Sequence, residues 1–287
     1  MVIIKLILLA IIIALPVILG GVSYFIPDKK LHQNSILWKI LFRFHKHFPY
    51  MFLVFLVLLT AFVESKIIDI PLTKWTKLDF TPAVYAIEGN IVEILQKWML
   101  NPVFTAYFAF VYQYMFFFIL YFSILLYVLV DNRNLVQMIS LSYFFNYIIA
   151  LPFYLFFPIN EIWLTNLAYS PVYGYTNVIG LLHENNPSSE ELLYAVSTIN
   201  NTFPSLHTSI LFSIMLITII NIHQFFSIFS SLMFFSIILS AIYLGIHWII
   251  DILAGVAFAI IVVYLVKNLE FELVFPFKIK SIKWKNK

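Results

Sequence analysis

Apolar residues dominate long stretches of the chain, and polar residues gather in short intervals between them. A helix needs roughly 20 apolar residues to cross the hydrocarbon core of a bilayer. Seven stretches meet or approach that length: about 2–26, 49–64, 103–130, 134–158, 204–222, 225–246 and 247–267. The last two form one run from Phe225 to Val266, too long for a single crossing, and a break is expected at Leu244-Gly245-Ile246-His247. The second stretch is short, but Arg43, Lys46 and His47 before it can snorkel. The first is long for a signal peptide and has no small-x-small cleavage pattern, so an uncleaved anchor is expected. The fold class is therefore an all-α polytopic membrane helical bundle with about seven spans. Residues 1–287 form a single integral-membrane domain.

Two outer features interrupt the spans. Residues 81–100 read as one amphipathic helix on the membrane surface, with Thr81 as N-cap and Pro82 in the first turn. Val84, Ile87, Ile91, Leu95 and Trp98 make its apolar face, with Glu88, Glu93 and Lys97 elsewhere. The loop 159–203 is long enough for a lid or binding loop. No internal repeat supports an inverted-repeat transporter.

Composition agrees with this pattern: 62% of the 287 residues are apolar and 11% charged. Soluble domains carry about 25% charged residues, so a soluble enzyme is excluded. The chain has no Cys, which removes disulfides and thiolate metal sites. A net charge of +3 is too mild to indicate nucleic acid, but its distribution sets a topology. Of the 17 Lys and Arg, twelve fall in segment 27–48, at Arg133 and in the tail beginning at Lys267. Loop 159–203 has none. The positive-inside rule then puts the N-terminus outside, the basic tail 268–287 in the cytoplasm, and loops 65–102 and 159–203 outside. In a prokaryote the membrane would be the cell membrane.

Inside the spans, away from their boundaries, the ionisable residues are His207, His247 and Asp251. An Asp in a spanning helix costs about 2.5–3.5 kcal/mol on insertion scales, so it is seldom idle. All three lie at outward helix ends. The i, i+4 spacing of His247 and Asp251 puts both on one helix face. A carboxylate on one imidazole nitrogen fixes the tautomer and leaves the other nitrogen free to attack phosphorus or take a proton. A second histidine can protonate the leaving oxygen. Ser205 reads as the N-cap of the helix bearing His207, and the N–H groups at Ser205 and Leu206 as a phosphate-binding end. Together these residues describe phosphoryl transfer through a phosphohistidine, with no cofactor. A zinc site on the same trio is the weaker reading, because His–Asp orientation explains the pair without metal. The alternative from another class is a lipid scaffold or transporter that keeps the trio as a polar lock. The aromatic residues of spans three and four, Tyr112, Phe116 and Tyr143 among them, read as lipid-facing packing, and Asn146 as an interhelical hydrogen bond. His45 and His47 read as solvated or at headgroups.

Phe203-Pro204-Ser205-Leu206-His207 and Tyr243-Leu244-Gly245-Ile246-His247-Trp248-Ile249-Ile250-Asp251-Ile252-Leu253-Ala254-Gly255 resemble the second and third motifs of the type 2 phosphatidic acid phosphatase superfamily. The nearer resemblance is to its inositol phosphorylceramide synthase-like branch, inositolphosphotransferases whose second motif reads FPSLH; sphingomyelin synthases share the trio. The resemblance implies His247 as nucleophile, Asp251 as its orienting carboxylate and His207 as general acid. It also implies a six-helix core with the site at the extracytoplasmic face. Two departures stand out: Ala241 occupies the position of a phosphate-gripping Arg, and no first motif is present. A phosphate monoester carries up to two negative charges and benefits most from such a clamp, whereas a diester carries one. Headgroup transfer onto an alcohol such as inositol is therefore favoured over hydrolysis of a lipid phosphate or polyprenyl pyrophosphate. The expected partners are a membrane lipid phosphate, an acceptor alcohol and the bilayer, with no nucleic acid.

Overall fold

The computed structural model describes residues 36–168, 170, 172–182, 198–221 and 224–268. The stretch 2–26, the tip of loop 159–203 and the basic tail lie outside the described residues. The rest is helical, and its only extended pairings are two isolated bridges, Ile159 with Asn201 and Asn166 with Thr176.

Helix α1 (Ile36–Val63) continues through a π-helical turn, Glu64–Ile68, into α2 (Asp69–Thr76). The surface helices α3 (Thr81–Glu88) and α4 (Ile91–Met99) follow. Next come α5 (Pro102–Phe110), a second π turn (Val111–Met115) and α6 (Phe116–Leu129), which form one continuous rod. Helices α7 (Arg133–Phe156), α8 (Leu206–Ile220), α9 (Gln224–Tyr243) and α10 (Ile249–Asn268) complete the chain. Among the described residues, five helices are long and apolar enough to cross a membrane: Lys39–Thr76, Pro102–Leu129, Arg133–Phe156, Phe225–Tyr243 and Ile249–Asn268. Helix α8 coincides with the stretch expected at 204–222 but has 15 residues, about 22 Å at 1.5 Å per residue. The protein is an all-α polytopic bundle.

The helices are apolar almost all round, as membrane spans are. Leu59, Phe118, Phe235, Leu253 and Tyr264 point outward, while polar side chains turn inward and bond each other. Helix α8 is the centre, packed against α7, α9 and α10. Asn146 on α7 donates to Ser213 Oγ on α8 at 2.9 Å, the expected interhelical bond. Gly255 lets α10 approach the start of α8, since a Cβ there would lie 2.7 Å from the Ser205 carbonyl oxygen.

The two ends of the bundle differ in chemistry. At one end Lys46 Nζ and His47 Nε2 each lie 2.8 Å from Asp131 Oδ1, and Arg43 bonds the Leu129 carbonyl. His47 is fully buried, not at a headgroup, because Asp131 supplies its partner inside the packing. The opposite end gathers α2–α4, the described parts of loop 159–203 and the α9–α10 turn.

The surface segment 81–100 departs from expectation in three ways. It breaks at Gly89-Asn90 into two helices, with Gly89 at φ +57°. Phe80, not Thr81, is the capping position, and the Thr81 N–H is taken by Asp79 Oδ1 at 3.0 Å. Val84 also parts from its expected face: it is buried, whereas Ile87, Ile91, Leu95 and Trp98 are exposed, and Glu88, Glu93 and Gln96 are buried. The polar side chains point inward because they hold backbone groups of the neighbouring elements. Gln96, for example, donates to the Ile179 and Tyr243 carbonyls at 2.8 and 2.9 Å.

Candidate active site

The site forms where the start of α8 meets the turn between α9 and α10. Helix α9 ends at Tyr243, and Gly245 reverses the chain at φ +76°. A Cβ at Gly245 would lie 2.7 Å from Val178 Cγ1, so both conformation and space call for glycine. The N–H groups of Ile246 and His247 then donate to the Ala241 carbonyl at 3.0 and 3.3 Å. Ala241 thus serves the site through its backbone.

His247 lies two residues before α10, so a shared helix face does not bring it to Asp251. Asp251, in the first turn, reaches back and accepts the Trp248 N–H at 2.9 Å, as the third residue of a capping box does. The same oxygen, Oδ2, lies 3.3 Å from His247 Nδ1. The cap and the His247 pairing use one carboxylate, which is fully buried.

Glu88 completes the start of α10. Its carboxylate accepts the Ile249 N–H at 3.0 Å and the Ile250 N–H as well. Burial raises the Glu88 pKa above the ordinary carboxylate value, the two N–H groups oppose that rise, and Asp251 adds to it. At Glu93 the Lys97 and Asn177 hydrogen bonds outweigh burial and hold the carboxyl below its ordinary value.

Ser205 caps α8 as expected, its Oγ accepting the Thr208 N–H at 3.3 Å. Its own N–H donates to the Asp251 carbonyl at 3.1 Å, which ties the two motifs together. That bond corrects the phosphate-binding expectation for Ser205, whose N–H is already engaged. Leu206 and His207 remain as the first-turn residues whose N–H groups have no partner within the helix, although the Leu206 N–H faces the Tyr154 hydroxyl. Tyr154 Oη holds the Pro204 carbonyl at 2.8 Å, and Thr202 Oγ1 holds the Ile159 carbonyl at 2.9 Å.

These restraints bring His207, His247 and Asp251 together. The two imidazole centroids are 5.7 Å apart. Tyr112, from the second π turn, inserts its hydroxyl between them, 3.3 Å from His207 Nδ1 and 3.4 Å from His247 Nε2. Its ring stacks on His207 at 4.6 Å, and Phe116 contacts the same imidazole at 4.2 Å. Tyr112, Phe116 and Tyr143 are buried at 1%, 7% and 2% exposure, so their reading as lipid-facing is corrected.

A cavity of about 430 Å³ opens beside the histidines. Its lining holds apolar side chains, Phe55, Leu58, Phe62, Phe117 and Leu120 among them, and the polar side chains of Glu64, Glu161, Thr198, Asn201, His207 and His247. Among the described residues, none that lines the cavity is Lys or Arg. Asn201 Nδ2 donates to Glu64 Oε1 at 3.2 Å, and Asn200 Nδ2 to Asp69 Oδ1 at 3.3 Å. Among the described residues no group of three or more His, Asp and Glu is placed to hold a metal ion.

The places of Tyr112, Glu88 and Glu64 at the site do not follow from the sequence pattern. Glu64 sits at a span boundary, the one signal that could have drawn attention to it.

A family model described as the PAP2 superfamily matches residues 86–265, well over half of the chain and the whole of both motifs. Searches of curated proteins and of solved structures return no match.

Proposed function

The chain belongs to the PAP2 superfamily, and on that premise we propose that it is a membrane lipid phosphotransferase working through a phosphohistidine at the extracytoplasmic face. Membership supports a phosphatase-type enzyme acting on lipid phosphates within the bilayer. The observation that carries the finer reading is the His247 imidazole, with Nδ1 at 3.3 Å from Asp251 and Nε2 turned toward His207 and the cavity.

The chemistry follows from that arrangement. Asp251 favours the tautomer with hydrogen on Nδ1, which leaves the Nε2 lone pair for phosphorus. His247 Nε2 bonds to phosphorus as the bond to the leaving oxygen breaks. His207 gives its proton to that oxygen. The Leu206 and His207 N–H groups, at the positive end of α8, hold a phosphoryl oxygen. An acceptor hydroxyl then attacks phosphorus, His207 takes its proton, and His247 is released. The apolar side chains of the cavity lining suit a lipid chain.

Transfer is favoured over hydrolysis by the polar side chains of the cavity lining. With Glu64, Glu161 and Asn201 on its walls and no Lys or Arg among the described lining residues, the cavity suits a hydroxyl-rich acceptor such as inositol better than a dianionic monoester. Placing the site outside rests on the charge distribution, with Lys46 and Arg133 at the end opposite the histidines. The test is product analysis by mass spectrometry. Wild type and His247→Ala are incubated with lipid phosphomonoesters and phosphodiesters, with and without inositol and other alcohols. A new headgroup-bearing lipid from wild type alone is the expected outcome. Free phosphate alone would replace transfer by hydrolysis, and a folded, active His247→Ala would overturn the catalytic assignment.

A further inference from the structure

We propose that Tyr112 is a catalytic residue, its hydroxyl donating a hydrogen bond to a non-bridging phosphoryl oxygen as charge develops there. This inference rests on the phosphoryl-transfer reading of the site. The hydroxyl lies within reach of both imidazoles, 3.3 Å from His207 Nδ1 and 3.4 Å from His247 Nε2. A phosphorus atom that bonds to His247 Nε2, and whose leaving oxygen His207 protonates, sits beside that hydroxyl. Its remaining oxygens then come within reach of the Tyr112 O–H.

The local structure holds the residue there. Tyr112 belongs to the π turn Val111–Met115, and such turns frequently mark functional sites. The widened turn places Tyr112 and Phe116 together around His207, at 4.6 and 4.2 Å. The phenol ring is buried and stacked, so its hydroxyl is aimed before substrate arrives. A fixed neutral donor is worth most where cations are missing, and among the described residues no Lys or Arg lines this cavity. The step remains balanced: the Nε2–phosphorus bond forms, the leaving-oxygen bond breaks, and the proton comes from His207. Tyr112 keeps its own proton throughout.

The test compares two lipid-like diesters, dodecyl p-nitrophenyl phosphate and dodecyl phenyl phosphate, as substrates for wild type, Tyr112→Phe, His207→Ala and His247→Ala. p-Nitrophenolate leaves without a proton, whereas phenolate gains from one. Tyr112→Phe is expected to lower kcat about 100-fold on both diesters, as loss of one oxyanion donor does, with KM within about threefold. His207→Ala should be much less impaired on the p-nitrophenyl diester. A folded Tyr112→Phe with wild-type kcat overturns the proposal. A Tyr112→Phe defect that vanishes with p-nitrophenolate also overturns it, because Tyr112 would then act only through His207. Activity in His247→Ala would instead overturn the underlying site reading. If Tyr112→Phe does not fold, 3,5-difluorotyrosine at this position gives a stronger donor of nearly the same shape, and an unchanged kcat there counts against the proposal.

Discussion

Glu88 offers a quantitative test of how the site is held. Its carboxylate satisfies the N–H groups of Ile249 and Ile250, the first two residues of α10. Glu88→Ala leaves both donors without that partner. Hydrogen bonds to a charged group contribute about 1.5–3 kcal/mol each. Ile249 and Ile250 are only half-buried, so water regains part of the loss. A net cost of about 2–4 kcal/mol follows, in keeping with the loss of a strong helix cap and its dipole interaction. At roughly 2–4 °C per kcal/mol for a chain of this size, the melting temperature should fall by about 4–16 °C. Activity should fall further than stability implies. Asp251 is in the same turn, and a shift of that turn moves Oδ2 relative to His247 Nδ1. A misplacement of about 1 Å can cost 100-fold in rate, so a loss of roughly ten- to 100-fold is expected. Glu88→Gln, which keeps an oxygen acceptor, should recover part of both losses. The assay is thermal melting in detergent alongside turnover of dodecyl p-nitrophenyl phosphate. Wild-type melting and turnover in Glu88→Ala would refute the reasoning.

Three further outcomes follow from other contacts. Gly255→Val adds a branched side chain where a Cβ already meets the Ser205 carbonyl oxygen at 2.7 Å, so α8 and α10 must separate; a loss of about 1–3 kcal/mol in melting and a sharp fall in turnover are expected. Burial alone would raise the Asp131 pKa, but its hydrogen bonds with Lys46 and His47 hold it below the ordinary value. Its contribution to stability is therefore present above about pH 4 and lost as pH falls through the lower folded value, and Asp131→Asn should flatten the acid side of the melting curve against pH. Asn146→Leu removes the bond to Ser213 Oγ between α7 and α8, and melting should register a loss of about 0.5–2 kcal/mol with the site chemistry retained.

Residues whose roles follow from local rules were legible in the chain. Ser205 announces a helix start because capping depends on neighbours within a few positions, and the structure has it capping Thr208. The break at Gly245 was legible because an unbroken run from Phe225 to Val266 exceeds one crossing. His247 and Asp251 were legible as a pair, although capping geometry, not a common helix face, joins them. Tyr112 was not legible. It is one aromatic residue among many in an apolar stretch, and a π turn shifts the helical period that would have shown its direction. The burial of Glu88 and Glu93 was not legible, because the pattern separates polar residues from the apolar face without showing what they bond. Beside a membrane the apolar face can turn to lipid, while the polar face bonds the helix ends and loops beneath it. Glu64 was set aside as a boundary residue, yet it lies within the continuous helix Lys39–Thr76 and lines the cavity.

The central claim is that His247 becomes covalently phosphorylated during turnover. The most direct measurement is a rapid-quench reaction with dodecyl p-nitrophenyl phosphate under alkaline conditions, which preserve a phosphoramidate bond. Digestion and mass spectrometry then locate the adduct. A transient dodecylphosphoryl adduct on the peptide containing His247, absent from His247→Ala and formed at the rate of p-nitrophenolate release, is the expected result. Release of p-nitrophenolate at full rate with no adduct on His247 at any quench time would contradict the mechanism.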